Sequence, residues 1–480
     1  MPSDEPEPIK NASNRVLHRR SAPENDQRFW LRRIHEITRD LLELEEDEPV
    51  ARGYGPQEMP QEIDINLNSK GHSSARVLND LAMVARMTPK TSSRRFFNQL
   101  FAGRDGIATA AEILTTVLNS SMYTHKIAGI NANIEDEVIQ GLLPLVGFNQ
   151  GDGSFFPGGS ISNLVSLVLA RENARTKMGS AERVSLDKFT AYTSECCHYS
   201  VVKNASITGI PRENVRKIPV DSKGRMSPEA LSRKISEDKK SGFHPFLISA
   251  TSGTTVIGAF DPLTDLADLA QEHGLWLHVD AALGGGVMFS KKQGHLLNGV
   301  KRADSLAWSA HKMMGVPLSC SVLLVKRRGA LEECLAAEAD YLFQAEDQSM
   351  DFGQKSIQCG RRNDALKLWS AWRHRGSNGM AARVDRLFEL AQLTAKKIAA
   401  NPELELAIAP DSINVCFRTL HSDPAEVCSR LAEEQSVMVG HAKVHGKSVI
   451  RVPHVNPDIT EEDIDFLLSS IVEIDAACAR

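Results

Sequence analysis

Apolar and polar positions alternate with two distinct periods along this chain. Residues 1 to 27 carry neither period; they are rich in Pro, Glu, Asp, Asn and Ser and predict a mobile tail, because such a segment cannot bury enough apolar surface to offset its ordering entropy. From Arg28 onward Trp30, Leu31, Ile34, Ile37, Leu41 and Leu44 recur at helical spacing, with Arg32, Arg33, Glu36 and Asp40 on the opposite face. This predicts an amphipathic helix ended by the acidic run Glu43 to Glu48 and Pro49, whose stripe must be covered by the main body or a partner subunit. Between about 105 and 345, short β-branched or apolar runs alternate with helical patterns. The clearest unit passes from strand Phe246 to Ala250 through a Gly/Thr turn and helix Leu263 to His273 into strand Leu275 to Asp280; strands Ser305 to Trp308 and Leu323 to Val325 follow. Such alternation implies right-handed crossovers and a mostly parallel sheet covered by helices, an α/β fold.

Positions 345 to 357 form a polar loop. A long helix then predicts two stretches, Asp364 to Arg375 and Met380 to Ala400, before short strands near 405 to 418 and 448 to 452, a small α+β domain. The expected organisation is a tail at 1–27, an N-terminal segment at 28–104, a large domain at 105–357 and a small C-terminal domain at 358–480. No internal repeat interrupts it.

Composition narrows the function. Of 480 residues, 42% are hydrophobic and 24% charged, which suits a globular protein and argues against a disordered or membrane-embedded body. A net charge of -5 argues against nucleic acid as partner, since phosphate recognition needs clustered positive charge, and leaves a small molecule as the expected ligand. Apolar runs such as Leu142 to Val146 are far shorter than the roughly 20 residues that span a bilayer. The eight cysteines form no C-x-x-C pair and no metal-ligand spacing, and the basic residues Arg15, His18, Arg19 and Arg20 precede no apolar segment; the expectation is a cytoplasmic protein with reduced thiols.

Three features fall at the C-terminal edge of the expected sheet, where ligands bind in such folds. Pro157-Gly158-Gly159-Ser160 opens a helix and can leave backbone N–H groups free for a phosphate, although the same pattern also makes a common N-cap turn. Asp280 ends a hydrophobic strand, where a carboxylate is costly unless donors or a cation meet it. Ser309-Ala310-His311-Lys312 follows another strand and supplies an amine. Phosphate cradle, strand-end carboxylate and lysine together are what pyridoxal 5'-phosphate requires: the lysine forms a Schiff base, and the carboxylate keeps the ring nitrogen protonated. A rival reading of His278 and Asp280, which share a strand face, is half of a metal site, but no third ligand is spaced to complete it. Taken singly, His198 also reads as a core histidine and Arg451 as a surface ion-pair residue.

A wider set of segments carries a resemblance. Arg95 to Leu100, Asp152-Gly153, Pro157 to Asn163, Cys197 to Ser200, Ala250 to Val256, Gly258 to Pro262, Leu275 to Ala282, His311 to Gly315, Tyr341 to Gln344 and Ile357 to Arg361 resemble, in order and spacing, the group II pyridoxal-phosphate amino-acid decarboxylases. The glutamate, cysteine sulfinate and aspartate enzymes are the members that look most alike, and the similarity covers about residues 90 to 470. The resemblance implies a fold type I enzyme with a seven-stranded, mostly parallel sheet, working as a homodimer whose N-terminal helices clasp the neighbour. It implies Lys312 as the Schiff-base lysine, Asp280 as partner of the pyridinium, His198 stacked on the cofactor ring with Ala282 on its other face, and Thr255 beside the ring hydroxyl. Gly159, Ser160, Ile161, Ser309 and His311 would surround the phosphate. Arg451 would hold the acidic group of the substrate, while Gln99 and Phe101 match pocket residues contributed at the dimer interface.

The chain departs from that family at telling places. In the family a loop tyrosine returns a proton to the substrate carbon after carbon dioxide leaves; positions 345 to 357 contain no tyrosine, and Phe352, the one aromatic residue there, cannot donate. Where the family commonly has Tyr-Thr-Tyr-Glu-Ile-Ala-Pro, this chain has Tyr123-Thr-His125-Lys126-Ile-Ala-Gly129, so that His125 and Lys126 add positive potential to an expected cluster with Arg451. The reading is decarboxylation of a small acidic L-amino acid of the cysteine sulfinate, aspartate or glutamate type. A same-fold oxidative deaminase or aminotransferase-like enzyme, and a catalytically silent cofactor-binding protein, are the alternatives.

Overall fold

A computed structural model describes residues 26–51, 63–67, 69–178 and 184–479, so the expected tail lies, but for its last two positions, outside the described residues. The chain divides into two compact units, residues 1–89 and 90–480. In the first, helix α1 (Gln27–Leu44) is capped by the Asp26 side chain and α2 (Ser74–Met87) by that of Ser73. Ile37, Leu41 and Leu44 of the predicted stripe meet Ala82 and Ala85 of α2 across a small cleft. Leu31 and Ile34 remain exposed, and no residue of α1 is buried within the chain.

The second unit contains two sheets. Its strands, in chain order, are β1 (Phe96–Phe97), β2 (Asp152–Phe156), β3 (Phe189–Ser194), β4 (Val215–Ile218), β5 (His244–Thr251), β6 (Trp276–Asp280), β7 (Ser305–Ser309), β8 (Ser321–Val325), β9 (Leu404–Leu406), β10 (Asn414–Thr419), β11 (Met438–Val444) and β12 (Lys447–Pro453). Seven of them form one sheet in the order β2-β8-β7-β6-β5-β3-β4. The pairings from β7 through to β4 are parallel, and β8 runs antiparallel to both β7 and β2. The expected mostly parallel, seven-stranded α/β sheet is therefore present. β6, β7 and β8 are buried along their whole length, as strands covered on both faces must be.

Register positions the chemistry. Thr251 pairs with Asp280 and Asp280 with Ala307, so β5, β6 and β7 end in one row. Their C-terminal edge faces the start of α6 (Gly159–Met178), the helix expected to follow the glycine turn.

The five-stranded sheet, in the order β1-β11-β12-β10-β9, differs from the sequence reading. It recruits Phe96 and Phe97 from the N-terminal side, pairing them in parallel with Met438 and Val439. Two residues are too few to show a period, and β11 alternates through His441 and Lys443, which mask its apolar face. Its core joins Phe97 to Val415, Phe417, Val452 and Leu467. The two helical stretches foreseen after 364 are present: Ala365–Ala400 is helical on either side of Gly376, whose non-helical φ of 64° separates them. Among the described residues no helix is long and apolar enough to cross a membrane.

Candidate active site

At the C-terminal edge of the seven-stranded sheet a cavity of about 250 Å³ opens. Pro157, Gly158, Gly159 and Ser160 form one wall, Thr251 and Asp280 another, and Ser309, His311 and Lys312 a third. Three loops separated widely in sequence meet there because each follows a strand that ends in the same row.

Gly158, at φ +102°, turns the chain into α6, and its carbonyl accepts from the Ile161 and Ser162 amides. The Gly159 and Ser160 amides, in the first turn, have no acceptor among the described residues. A Cβ on Gly159 would lie 3.2 Å from both Ala282 Cβ and Ser309 Oγ, so the helix start is packed tightly against the ends of two strands. Asn204 Nδ2 secures the turn by donating to the Ser160 carbonyl at 2.8 Å. Free amides at a helix N-terminus favour an anionic group there.

The buried Asp280 carboxylate receives the donors that its position demands: Asn163 Nδ2 at 2.7 Å and the Ala282 amide at 3.1 Å. Lys312 lines the same cavity, where burial pushes its pKa down, Asp280 opposes the shift and the charge of Arg451 adds to it. His198 also faces the cavity; its Nδ1 is 2.8 Å from Ser200 Oγ, and burial depresses its pKa. His311 is tied at Nδ1 to the Cys320 main chain, with burial pushing its pKa down to about 4. Ser309 Oγ lies 3.2 Å from Ser321 Oγ.

Gly159, Ser160, His198, Thr255, Asp280, Ala282, Ser309, His311 and Lys312 are thus brought together around one cavity. Ile161 is not: its side chain packs against the apolar core beside α6. Arg451, on β12, stands at the rim, donating to the Thr255 carbonyl at 3.1 Å and to the Asn98 carbonyl at 2.6 Å. Gln99, exposed, is bonded to the neighbouring Asn98 side chain, and Phe101 is half-buried; neither lines the cavity. His125 and Lys126 begin the short helix His125–Ala128, and they face the polar loop instead: the His125 amide donates to Asp351 at 2.7 Å, and Lys126 Nζ to Gln344 at 3.4 Å. The expected cluster of Arg451, Lys126 and His125 is not formed within one chain among the described residues.

The structure also changes the meaning of Phe352. It is a core residue, 2% exposed, packed with Met122, Ala128 and Ala132 under Arg361 and Lys355. It does not occupy the cavity as a substitute for a tyrosine. His278, the rival metal ligand, has both ring nitrogens engaged, Nδ1 with Ser305 Oγ at 2.9 Å and Nε2 with Asn163 Oδ1 at 3.0 Å. Sequence reasoning missed Asn163, which lines the cavity, and Ser200 and Ser305, which lie behind it against His198 and His278. Asn163 was the accessible one, since it sits four positions after Gly159 and therefore on the same helix face.

Fold and cavity together define a fold type I enzyme that holds pyridoxal 5'-phosphate: unpaired helix-start amides, a donor-held carboxylate and a lysine line one space. Comparison with known proteins agrees. The pyridoxal-dependent decarboxylase conserved domain matches residues 56–420, and the chain belongs to that family. Cysteine sulfinic acid decarboxylase of Rattus norvegicus is 39% identical over 471 residues, covering 91% of this chain and 95% of the relative. Acidic amino acid decarboxylase GADL1 of Bos taurus is 38% identical over 447 residues, covering 88% and 86%. The crystal structure of mouse CSAD in its apo form superposes with a TM-score of 0.86 at 37% identity, covering 92% of this chain and 98% of that one. An Oryza sativa TDC structure with PLP and tryptamine, at 23% identity and TM-score 0.88 over 96% of this chain and 100% of that one, shares the fold.

Proposed function

We propose that this enzyme removes the α-carboxylate of a small acidic L-amino acid, of the cysteine sulfinate, aspartate or glutamate type, to give the amine and carbon dioxide. The single observation that carries the acidic substrate is Arg451. Two of its nitrogens are spent on the Thr255 and Asn98 carbonyls, while Nε is buried without a partner among the described residues. A guanidinium fixed in this way at the rim of the cavity retains charge and a donor for a distal acid. The named activities of the cysteine sulfinic acid and acidic amino acid relatives support the same class.

Pyridoxal phosphate, when bound, supplies the electron sink for breaking the Cα–carboxylate bond. The chain does the rest. Lys312 would provide the amine that holds the cofactor. Asp280 keeps a proton on the ring nitrogen, and His198 and Ala282 confine the ring. Gly159, Ser160, Ser309 and His311 would hold the phosphate, and Arg451 would orient the substrate by its distal acid.

The same proposal makes the enzyme a homodimer with the active site at the subunit interface. Ile113, Leu114, Val117 and Leu118 lie on one face of the helix Gly106–Leu118, each at least half exposed, whereas Ala108, Ala111 and Thr115 on its other face are buried. An apolar face of this kind calls for a covering surface. A partner would also give Gln99, Phe101, His125 and Lys126 a neighbouring site to serve, and the exposed stripe of α1 something to clasp. With its eight cysteines free, the protein suits the reducing cytoplasm.

The absence of a loop tyrosine favours one other outcome, oxidative deamination to an aldehyde. The experiment is to incubate holoenzyme with cysteine sulfinate, aspartate and glutamate, following amine, carbon dioxide, aldehyde and oxygen. Amine and carbon dioxide in equal amounts without oxygen uptake are expected. Aldehyde with oxygen consumption, or unchanged substrates over a cofactor-loaded protein, would overturn the proposal.

A further inference from the structure

Behind the cavity the polar side chains form a chain whose hydrogen-bond directions follow from its two ends. Asp280 accepts from Asn163 Nδ2 at 2.7 Å, which commits the amide nitrogen of Asn163 to that side. Its oxygen therefore faces His278 Nε2 at 3.0 Å, and an amide oxygen only accepts, so Nε2 carries the hydrogen. His278 is 2% exposed and neutral, with burial pushing its pKa down to about 4. Its Nδ1 is then bare and takes the hydroxyl hydrogen of Ser305 at 2.9 Å. Ser305 Oγ in turn accepts the indole hydrogen of Trp276 at 2.9 Å and lies 2.8 Å from Ser166 Oγ. An indole only donates and a carboxylate only accepts, so both ends of the chain enforce one direction.

A branch leaves from Asn163. Its Nδ2 donates to Ser200 Oγ at 3.2 Å, and Ser200 Oγ lies 2.8 Å from His198 Nδ1. The Ser200 amide also approaches that nitrogen, at 3.3 Å. His198 Nδ1 is thus an acceptor, and the ring proton sits on Nε2.

We propose that Asn163 is a positioning residue, the junction of an ordered chain Trp276→Ser305→His278→Asn163 that holds Asp280 in place and, through Ser200, presents His198 to the cavity as an Nε2–H donor. Reversing a link between Trp276 and Asp280 would set two donors or two bare lone pairs face to face among buried groups, which is costly. The consequence is chemical: in a site with no loop tyrosine, the imidazole beside the cofactor offers a hydrogen rather than a lone pair. The inference rests on the proposed placement of Asp280 and His198 at the cofactor.

The test is solid-state NMR of full-length protein labelled with 15N-histidine, with and without cofactor, the two rings being assigned by His278→Asn and His198→Gln. Native protein is expected to show a bare Nδ1 and a protonated Nε2 at both rings in both states. A protonated Nδ1 at either ring would overturn the chain, and this measurement needs no variant of Asn163 to fold. In Asn163→Ala, a mixture of His198 tautomers and about ten- to hundredfold weaker cofactor retention are expected, the loss of one buried bond to a charged group. Ser305→Ala, which does not line the cavity, is expected to shift the His278 nitrogens and weaken retention in the same direction; unchanged nitrogens in both variants would overturn the proposal. Cofactor retention by Asp280→Asn equal to that of native protein would overturn the site assignment itself, and with it the role given to Asn163, whatever the tautomers.

Discussion

Arg451 Nη1 donates to the Thr255 carbonyl at 3.1 Å, so a guanidinium carried by the five-stranded sheet is pinned to a wall of the cavity that the seven-stranded sheet builds. The same carbonyl accepts from Asn414 Nδ2 at 3.0 Å. Two donors on one oxygen immobilise Thr255, and the planar fork of Arg451 is oriented before any substrate arrives.

Arg451→Lys keeps the charge but loses the fork. KM for the acidic substrate is expected to rise about ten- to hundredfold, with a smaller change in kcat and an unaltered cofactor absorbance. Steady-state kinetics and the visible spectrum check it. An equal fall in kcat alone would show that Arg451 acts on the reaction rather than on substrate capture.

Lys312→Ala removes the amine proposed to hold the cofactor. The visible band of the lysine-bound cofactor and turnover are both expected to vanish while the far-ultraviolet circular dichroism is kept. A band that survives in this variant would show that another residue makes the bond.

Acid should destabilise this fold through buried imidazoles. Burial pushes His278 and His311 down to about 4 and His454 to about 3. Each is neutral in the folded protein and takes a proton once unfolded below about 6.5. Their contribution is therefore complete above that pH and is lost as the pH falls towards 4, at about 1.4 kcal/mol per pH unit for each ring. Urea unfolding between pH 7 and 4.5 is expected to show this slope, and His454→Gln to flatten it by about one proton's worth.

Gly253→Ala tests the backbone of the cavity wall. Gly253 has φ +92°, and a Cβ there would sit 2.6 Å from the Gly284 nitrogen, a main-chain atom that cannot swing aside as a flexible side chain could. A cost of about 2 kcal/mol or more is expected, read as a lower melting temperature together with weaker cofactor retention.

Charge on the exposed face of the helix Gly106–Leu118 tests the proposed dimer. Leu114→Glu with Val117→Glu is expected to halve the mass in sedimentation and to abolish turnover, because the proposed site needs both subunits. A variant that stays dimeric would move the interface elsewhere.

Much of the site was legible because its parts are local. Pro157 to Ser160 announce a helix entrance, Asp280 ends an apolar run and Lys312 follows another, and each pattern lies within a few residues. Asn163 and its partners were not legible: it meets Asp280 across 117 positions and His278 across 115. No periodicity encodes such a meeting. Phe352 misled for a related reason, since polar neighbours in sequence hid the apolar neighbours it has in space.

By itself the sequence determined the alternation of strands and helices, the mostly parallel sheet, and the residue types gathered at its edge, because hydrophobic period and turn chemistry act over short stretches. Only the tertiary structure decided which donors satisfy Asp280, and that Arg451 reaches Thr255 while Lys126 turns away. Those outcomes depend on strand register and on pairing among buried polar groups, and an unpaired group in a closed core is too costly to be left to local preference.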